Sequence, residues 1–269
     1  MTARRALARL RGLDLPRGRL AFIHLGQLGF LVRLGRTVFG IDLFLSPMEG
    51  RLVPPLLAPE DVADAVDVLI GTHDHADHID RPLWTRLVAL GCRAKFILPE
   101  AVRAAVLAET GLRPSRVAGL TGGESRTAGG AKVAAVAAAH ERLEKDANGC
   151  DKALGFVLSA HGVRLYHAGD CCPYEGLQTT LASFGRFDAA FLPINGRSAW
   201  RLSNGFIGCM DAHEAVELAG ELAVKTLVPG HYDMFAPNLG DVEECRAFAR
   251  VKYPELGVLV PKTGTVQIV

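Results

Sequence analysis

Metal-binding side chains are concentrated in one stretch of the sequence, Ile70-Gly71-Thr72-His73-Asp74-His75-Ala76-Asp77-His78-Ile79-Asp80. Its core has the pattern His-x-His-x-Asp-His, with three histidines and two aspartates in six residues. The whole chain holds only 9 histidines, so a polar surface loop with stray histidines is a poor explanation for this density. The pattern therefore predicts a metal-binding loop.

An apolar run, Val66 to Ile70, leads into this loop and is typical of a buried strand. Residues two apart in an extended segment point to the same side, so His73 and His75 are suited to hold one ion. Asp77 and His78 follow the turn and are suited to hold a second ion nearby. Imidazole suits zinc, iron and similar metals, and a carboxylate adds a hard oxygen ligand that also suits manganese.

The composition is that of a globular chain. It has 269 residues, of which 49% are hydrophobic, and one domain of this length is normal for two packed sheets. The net charge of +1 gives no overall field for nucleic acid or anionic lipid. No apolar run approaches the ~20 residues of a membrane-spanning helix. The six cysteines include no Cys-x-x-Cys pair, and we expect free thiols at Cys92, Cys150, Cys171, Cys172, Cys209 and Cys245.

The first nineteen residues differ from the rest because they are strongly basic. They hold six arginines against one acid, Asp14, and their leucines are spaced for one face of a short helix that Pro16 ends. One interpretation is a segment for an anionic surface or a substrate gate; we favour a solvated basic helix packed on the edge of the domain. We treat residues 1–19 as this segment and residues 20–269 as one domain.

Periodicity and capping residues predict the main elements. Asp211 with Glu214 three residues later forms a capping box, and Pro82 lies near the first turn of another helix. Residues 49–59 are rich in proline and leucine and are expected to be a loop that crosses the site. The strands expected before the metal loop are residues 20–24, 29–33 and 37–41, and the clearest helices are residues 81–90, 100–110 and 211–222.

The His-x-His-x-Asp-His motif resembles the signature of the metallo-β-lactamase-fold hydrolases. Its extension to Asp80 resembles the branch that includes L-ascorbate-6-phosphate lactonase, and the likeness runs from about Leu20 to the end of the chain. The resemblance implies a four-layer αββα sandwich, in which two mixed β-sheets are flanked by helices. Sequence patterns alone support only an α/β or α+β class.

The resemblance also implies a binuclear site of two divalent ions, zinc or manganese, with iron as a further option. A hydroxide held between the ions would attack a carbonyl or phosphorus, and Asp77 would orient it or pass its proton to the leaving group. The resemblance thus implies that Asp77 and Asp170 are the catalytic carboxylates. The implied ligands are His73, His75 and His140 for the first ion, Asp77, His78 and His231 for the second, and Asp170 as the bridge.

Residues around this set are assigned supporting roles. Asp42 resembles the aspartate of the family's Asp-Pro segment beside the site, and Gln27 stands where the family often has histidine. Arg197 offers a planar fork of donors for phosphate or carboxylate, with Arg201 as a second, weaker candidate. Substrate binding is therefore predicted for Arg197, and also for Asn195 and Tyr232.

The leading functional interpretation is a lactonase-like hydrolase of a small anionic, phosphorylated or acidic sugar derivative. A phosphodiesterase-type hydrolase of nucleotides or N-acyl phospholipids is the first alternative. A non-catalytic metal- or ligand-binding regulator is the second. The balanced charge argues against long nucleic acid as a partner. The resemblance implies a cytoplasmic homo-oligomer.

Overall fold

The structure is a computed structural model, and it describes residues 2–269. The strands are β1 Leu20–His24, β2 Phe30–Leu34, β3 Thr37–Ile41, β4 Val68–Ile70, β5 Lys95–Pro99, β6 Val117–Leu120, β7 Ser125–Ala128, β8 Ala131–Ala137, β9 Leu154–Ala160, β10 Val163–His167, β11 Ala189–Pro193, β12 Thr226–Gly230, β13 Gly257–Val258 and β14 Gln267–Ile268. The α-helices are α1 Ala3–Gly12, α2 Pro59–Ala65, α3 Arg81–Ala89, α4 Glu100–Thr110, α5 Leu177–Ala182, α6 Ala199–Ser203, α7 Ala212–Glu221 and α8 Val242–Lys252.

The strands form two seven-stranded mixed sheets with the same internal plan. The first has the order β14-β1-β2-β3-β4-β5-β6 and the second the order β13-β12-β11-β10-β9-β8-β7. In the first sheet the pairs from β14 to β3 are antiparallel and those from β3 to β6 are parallel. In the second sheet the pairs from β7 to β10 are antiparallel and those from β10 to β13 are parallel.

Three apolar clusters hold the layers together. The middle cluster joins the inner faces of the two sheets, where the Phe30 and Phe191 rings lie 4.3 Å apart. The outer clusters pack α1 to α4 on the first sheet and α5, α7 and α8 on the second. Helices therefore cover both outer faces of a two-sheet core, and the predicted four-layer αββα arrangement is confirmed. No helix within residues 2–269 is both long enough and apolar enough to cross a bilayer.

Local signals placed most helix ends correctly. Asp211 accepts from the backbone N–H of Glu214, and the Glu214 side chain accepts from the N–H of Asp211, which is the predicted capping box. Asp80 caps α3 by accepting from the N–H of Leu83. Helix α4 ends at Gly111, whose φ of 70° is the left-handed conformation that glycine adopts at low cost.

Other segments differ from expectation. The predicted loop over residues 49–59 ends at Pro59, where α2 begins. Arg51 of this loop forms an isolated β-bridge with Phe235, which follows the candidate ligand His231 by four residues in the sequence. The basic helix α1 ends at Gly12, before Pro16. Its buried residues, Ala6, Leu7 and Leu10, belong to the same core as the first sheet, so this helix packs on the domain as favoured above.

Candidate metal centre

The candidate ligands converge from four places in the fold. The His73–His78 loop follows β4 in the first sheet, whereas His140, Asp170 and His231 follow β8, β10 and β12 in the second. Gly169, with a φ of 61°, allows the end of β10 to approach this loop: a side chain there would place its Cβ 2.8 Å from the Cβ of Thr72. The centre therefore lies at one shared edge of the two sheets.

The first group consists of ligand atoms within 4.8 Å of one another, from His73, His75, His140 and Asp170. His140 Nε2 lies 3.4 Å from His75 Nδ1 and 3.7 Å from Asp170 Oδ2. His73 Nε2 lies 4.0 Å from the same carboxylate oxygen. Three imidazoles and a carboxylate thus face a common point, which is a donor set that zinc, manganese and iron all accept.

The second group contains Asp77, His78 and His231, again with ligand atoms within 4.8 Å. His78 Nε2 lies 3.5 Å from Asp77 Oδ2 and 3.4 Å from Asp170 Oδ1. His231 Nε2 lies 3.2 Å from Asp170 Oδ2 and 3.8 Å from Asp77 Oδ2. Asp170 therefore contacts both groups, which is the position that a bridging carboxylate requires.

Several polar atoms that face the centre lack a hydrogen-bond partner among the described residues and are suited to bind a cation. Within residues 2–269, His73 Nε2, His78 Nε2 and Asp170 Oδ1 are buried and have no hydrogen-bond partner. A buried polar atom without a partner costs free energy, so such atoms are uncommon in folded proteins. A divalent ion at each group would satisfy these atoms, and the chemistry of the donors suits it.

A buried network orients His78. Asp42 Oδ2 lies 2.7 Å from His78 Nδ1 and accepts from the Thr72 hydroxyl at 2.8 Å, while Asp42 Oδ1 accepts from the Thr72 N–H at 2.9 Å. The carboxylate holds a ring proton on Nδ1, and Nε2 is then the ring nitrogen that faces the centre. The predicted place of Asp42 beside the site is confirmed by these contacts.

Asp80, the last residue of the motif, has a structural role. Besides capping α3, its carboxylate accepts from the backbone N–H groups of Leu45 and Ser46 at 2.9 and 2.8 Å. It therefore ties the segment after β3, which carries Asp42, to the segment after β4. The histidines and Asp77 of the motif are thus candidate metal ligands, whereas Asp80 at its end stabilises the segments that carry them.

Three non-glycine residues at the centre have left-handed backbone conformations. The φ angles are 58° at Gln27, 49° at Asp42 and 56° at His231. Such angles are uncommon for residues with a Cβ and are retained where the surrounding structure enforces them, often at functional sites. All three side chains contact candidate ligands or are candidate ligands themselves.

The electrostatics favour ionised carboxylates. Burial by itself raises the pKa of Asp170, but the positive charge of His231 and His78 outweighs burial and holds that pKa well below its usual range. Burial, reinforced by the charge of His78, holds the pKa of His73 well below its ordinary value, so this imidazole is neutral and its lone pair is available. A negative bridge beside a neutral imidazole is the state that binds a cation.

The predicted substrate-binding residues are engaged in contacts within the protein. Both Arg197 terminal nitrogens donate to the Glu214 carboxylate at 2.6 Å, so its planar fork is already occupied. Asn195 is buried and its Nδ2 donates to Asn238 Oδ1 at 3.0 Å. The ring of Tyr232 stacks on His24, and its hydroxyl is directed to Pro261 O at 3.5 Å.

The pairing with Glu214 argues against the predicted role of Arg197 in binding a substrate anion, which stays a prediction. Arg201 is likewise committed, because it donates to the backbone oxygens of Asn195, Pro237 and Leu239. A guanidinium satisfied by a carboxylate or by carbonyl groups gains little from a substrate anion.

A cavity of about 350 Å³ opens beside the first group instead. His73, His75 and His140 form its floor, and the segment after His140 supplies two cations, Arg142 and Lys152. The Glu144 carboxylate accepts from Arg142 at 2.7 Å and from Lys152 at 3.2 Å. Its other lining residues are Asp74, Ala101, Val102, Asp146, Ala153 and Ile207.

Sequence reasoning missed one further group. Cys209 is fully buried, and its sulfur lies within 4.8 Å of ligand atoms of Asp170 and His231. A single cysteine after a glycine-rich segment gave no signal of this placement. Cys171 and Cys172 are buried free thiols, as expected.

The sequence of this chain is similar to those of known metal-dependent hydrolases. A family model described as the beta-lactamase superfamily domain matches residues 37–232. A UPF0173 metal-dependent hydrolase of Anaeromyxobacter sp. (strain K) is 30% identical over 257 residues, which cover 91% of this chain and 86% of the relative. The UPF0173 metal-dependent hydrolase of Hyperthermus butylicus is 28% identical, with 88% and 98% covered.

Solved structures share the fold. Igni18, a metallo hydrolase from Ignicoccus hospitalis, aligns with a TM-score of 0.71 at 22% identity, covering 93% of this chain and 98% of that one. An isothiocyanate hydrolase from Delia radicum gut bacteria aligns with a TM-score of 0.69 at 20% identity, covering 92% and 98%. The family match over most of the chain therefore places this protein in the beta-lactamase superfamily, as a metal-dependent hydrolase of the UPF0173 family.

Proposed function

We propose that this hydrolase works with two divalent cations, zinc or manganese, and cleaves the ester bond of a small lactone that carries an anionic group. The observation that supports the proposal most is the pair of ligand groups that share Asp170. His73, His75 and His140 would hold one ion. Asp77, His78 and His231 would hold the other.

The bound ions would supply Lewis acidity and lower the pKa of water to near neutrality. The residues of the chain do the rest. Asp77 is the candidate ligand whose carboxylate is partly open, with a side chain 20% exposed, so it can both orient a water molecule and receive its proton. Asp170 is buried and its charge would hold the two cations together. Asp77 is thus the proposed proton carrier and Asp170 the proposed bridge.

The cavity beside the first group supports a small substrate. Its volume is within the range of small-molecule sites. Ala101, Val102, Ala153 and Ile207 form an apolar wall, and the charged lining consists of two cations, Arg142 and Lys152, and three acids, Asp74, Glu144 and Asp146. Glu144 accepts from Nε of Arg142 and from Nζ of Lys152, which leaves the terminal nitrogens of Arg142 as donors for the anionic group of a compact lactone.

Metal content and turnover test the proposal together. Protein purified without chelator is expected to contain about two ions per chain and to hydrolyse an anionic lactone. Chelator treatment should remove both ions and the activity, and zinc or manganese should restore them. Elemental analysis, with a lactone and a phosphodiester assayed in parallel, provides the measurement. Turnover of the phosphodiester alone would replace the lactone assignment, and inert protein after metal loading would favour a binding protein.

The cations of the cavity are expected to affect substrate affinity. A protein carrying both Arg142→Ala and Lys152→Ala should show a KM for an anionic lactone raised about fivefold, because these exposed charges are screened by solvent. Its KM for a neutral lactone should change little. Arg126→Ala, an exposed arginine on β7, is the matched control. Arg197→Ala should leave both KM values unchanged, since Glu214 already occupies that guanidinium.

A further inference from the structure

Gln27 contacts the second ligand group directly. Its side-chain nitrogen Nε2 donates to Asp77 Oδ2 at 2.7 Å and lies 3.1 Å from His231 Nε2. Asp77 Oδ2 also approaches His78 Nε2, and His231 Nε2 also approaches Asp170 Oδ2. The amide nitrogen of glutamine has two N–H donors and no lone pair for a metal. Gln27 therefore directs hydrogen atoms to positions where a cation would need lone pairs.

The backbone of Gln27 is fixed in this place. Its N–H donates to Asp233 Oδ1 at 2.8 Å, and its C=O accepts from the N–H of His231 at 2.6 Å. The residue is only 2% exposed and has the left-handed φ of 58°. The side chain is thus buried and reaches the ligands from an anchored main chain.

The orientation of the amide follows from its neighbours. Turning it by half a rotation would set Oε1 against Asp77 Oδ2, and two acceptor oxygens would then face each other. The distance of 2.7 Å between Gln27 Nε2 and Asp77 Oδ2 is that of a strong N–H···O bond to a carboxylate, so the amide nitrogen is held on Asp77.

The first group lacks such a competitor. Among residues 2–269, the His73 Nε2 atom has no hydrogen-bond partner, and His140 Nε2 contacts only another candidate ligand, His75, and the Asp170 carboxylate. The two positions of the centre therefore differ in what a cation must displace.

We propose that Gln27 is a built-in competitor for the second metal position, so that the ion held by Asp77, His78 and His231 binds about tenfold or more weakly than the first. This inference rests on the proposed binuclear centre. A cation at the second position must break the contacts that the Gln27 amide nitrogen makes with Asp77 and His231. The protein would thus work with a firmly held ion and an exchangeable one, and its activity would follow the available metal concentration.

Calorimetric titration of chelator-treated protein with Zn²⁺ alone tests this. The parent protein should show one tight and one weak site. Gln27→Ala should tighten the second site about ten- to hundredfold, the equivalent of one or two charge-assisted hydrogen bonds, and leave the first unchanged. Gln178→Ala, an exposed glutamine in α5, is the matched control. Gln27→Gly repeats the test without the strain that alanine has at a left-handed φ.

The outcomes separate the two proposals. A second site no tighter in Gln27→Ala and Gln27→Gly than in the control overturns the role of Gln27. Two equally tight sites in the parent protein also overturn it, while leaving the binuclear centre intact. Failure of the parent protein to bind Zn²⁺ overturns the centre itself. A gain in affinity is a result that loss of a merely structural contact does not produce.

Discussion

An Asp170→Asn variant is expected to lose roughly 10³-fold or more in kcat/KM and to bind metal poorly at both positions. The carboxylate is the common neighbour of both ligand groups. Its oxygens lie 3.2 to 4.0 Å from one ring nitrogen each of His73, His78, His140 and His231. Asparagine keeps the shape of the side chain but removes the charge, so two cations would repel each other without a bridge.

The measurement is metal stoichiometry by elemental analysis, followed by kinetics on the best substrate. Asp64→Asn, an exposed aspartate in α2, is the control and should behave as the parent protein. His73→Ala provides a second comparison, because it removes a ligand of the first group alone. Full metal content and full activity in Asp170→Asn would show that this residue is not the bridge.

The sequence predicted the local part of this centre well. The His73–His78 pattern is contiguous, and the strand before it fixes where the loop begins, so pattern and periodicity were sufficient. The ligands from the second sheet are a different case, since His140, Asp170 and His231 each follow a strand without a distinctive motif. Only the family resemblance connected them, because their proximity depends on how the two sheets pack.

Side-chain partners were harder to predict than backbone elements. Glu214 was correctly identified in a capping box, but its carboxylate also binds Arg197, which sequence alone presented as a free donor. That pairing joins the loop after β11 to the start of α7. Gln27 is similar, since its contact with Asp77 depends on a left-handed turn. The local sequence identifies such polar residues but does not show which distant side chains they contact.

The missed elements have simple physical causes. Strand β7 lies at a sheet edge, and three of its four residues are exposed, so it lacks the alternating apolar pattern of a half-buried strand. Helix α2 starts after Ala58, which offers no side-chain oxygen for an N-cap. Asp61 compensates by accepting from the Ala58 N–H at 3.1 Å. Short elements with few apolar residues, or without a capping side chain, give only a weak sequence signal, so they were not predicted.

An Asp42→Ala variant is expected to weaken metal binding at the second position about 10- to 100-fold, although Asp42 itself is not a candidate ligand. Its carboxylate holds the proton of His78 on Nδ1 and accepts twice from Thr72. Without it, the ring of His78 is free to rotate or to change tautomer, and Nε2 loses its alignment with the centre. The metal-free protein should also lose about 3 kcal/mol of unfolding free energy, because buried donors would lack an acceptor.

Thr72→Val separates the role of the carboxylate from that of the network around it. This change removes one donor to Asp42 and leaves the 2.7 Å contact with His78 in place, so its effect on metal affinity should be several times smaller. Zinc titration and thermal unfolding of both metal-free variants give the comparison. If Asp42→Ala were less stable but bound both ions with parental affinity, Asp42 would support the fold without orienting His78. A loss of affinity that exceeds the loss in Thr72→Val would show that the histidine must be held in one tautomer for the second ion to bind.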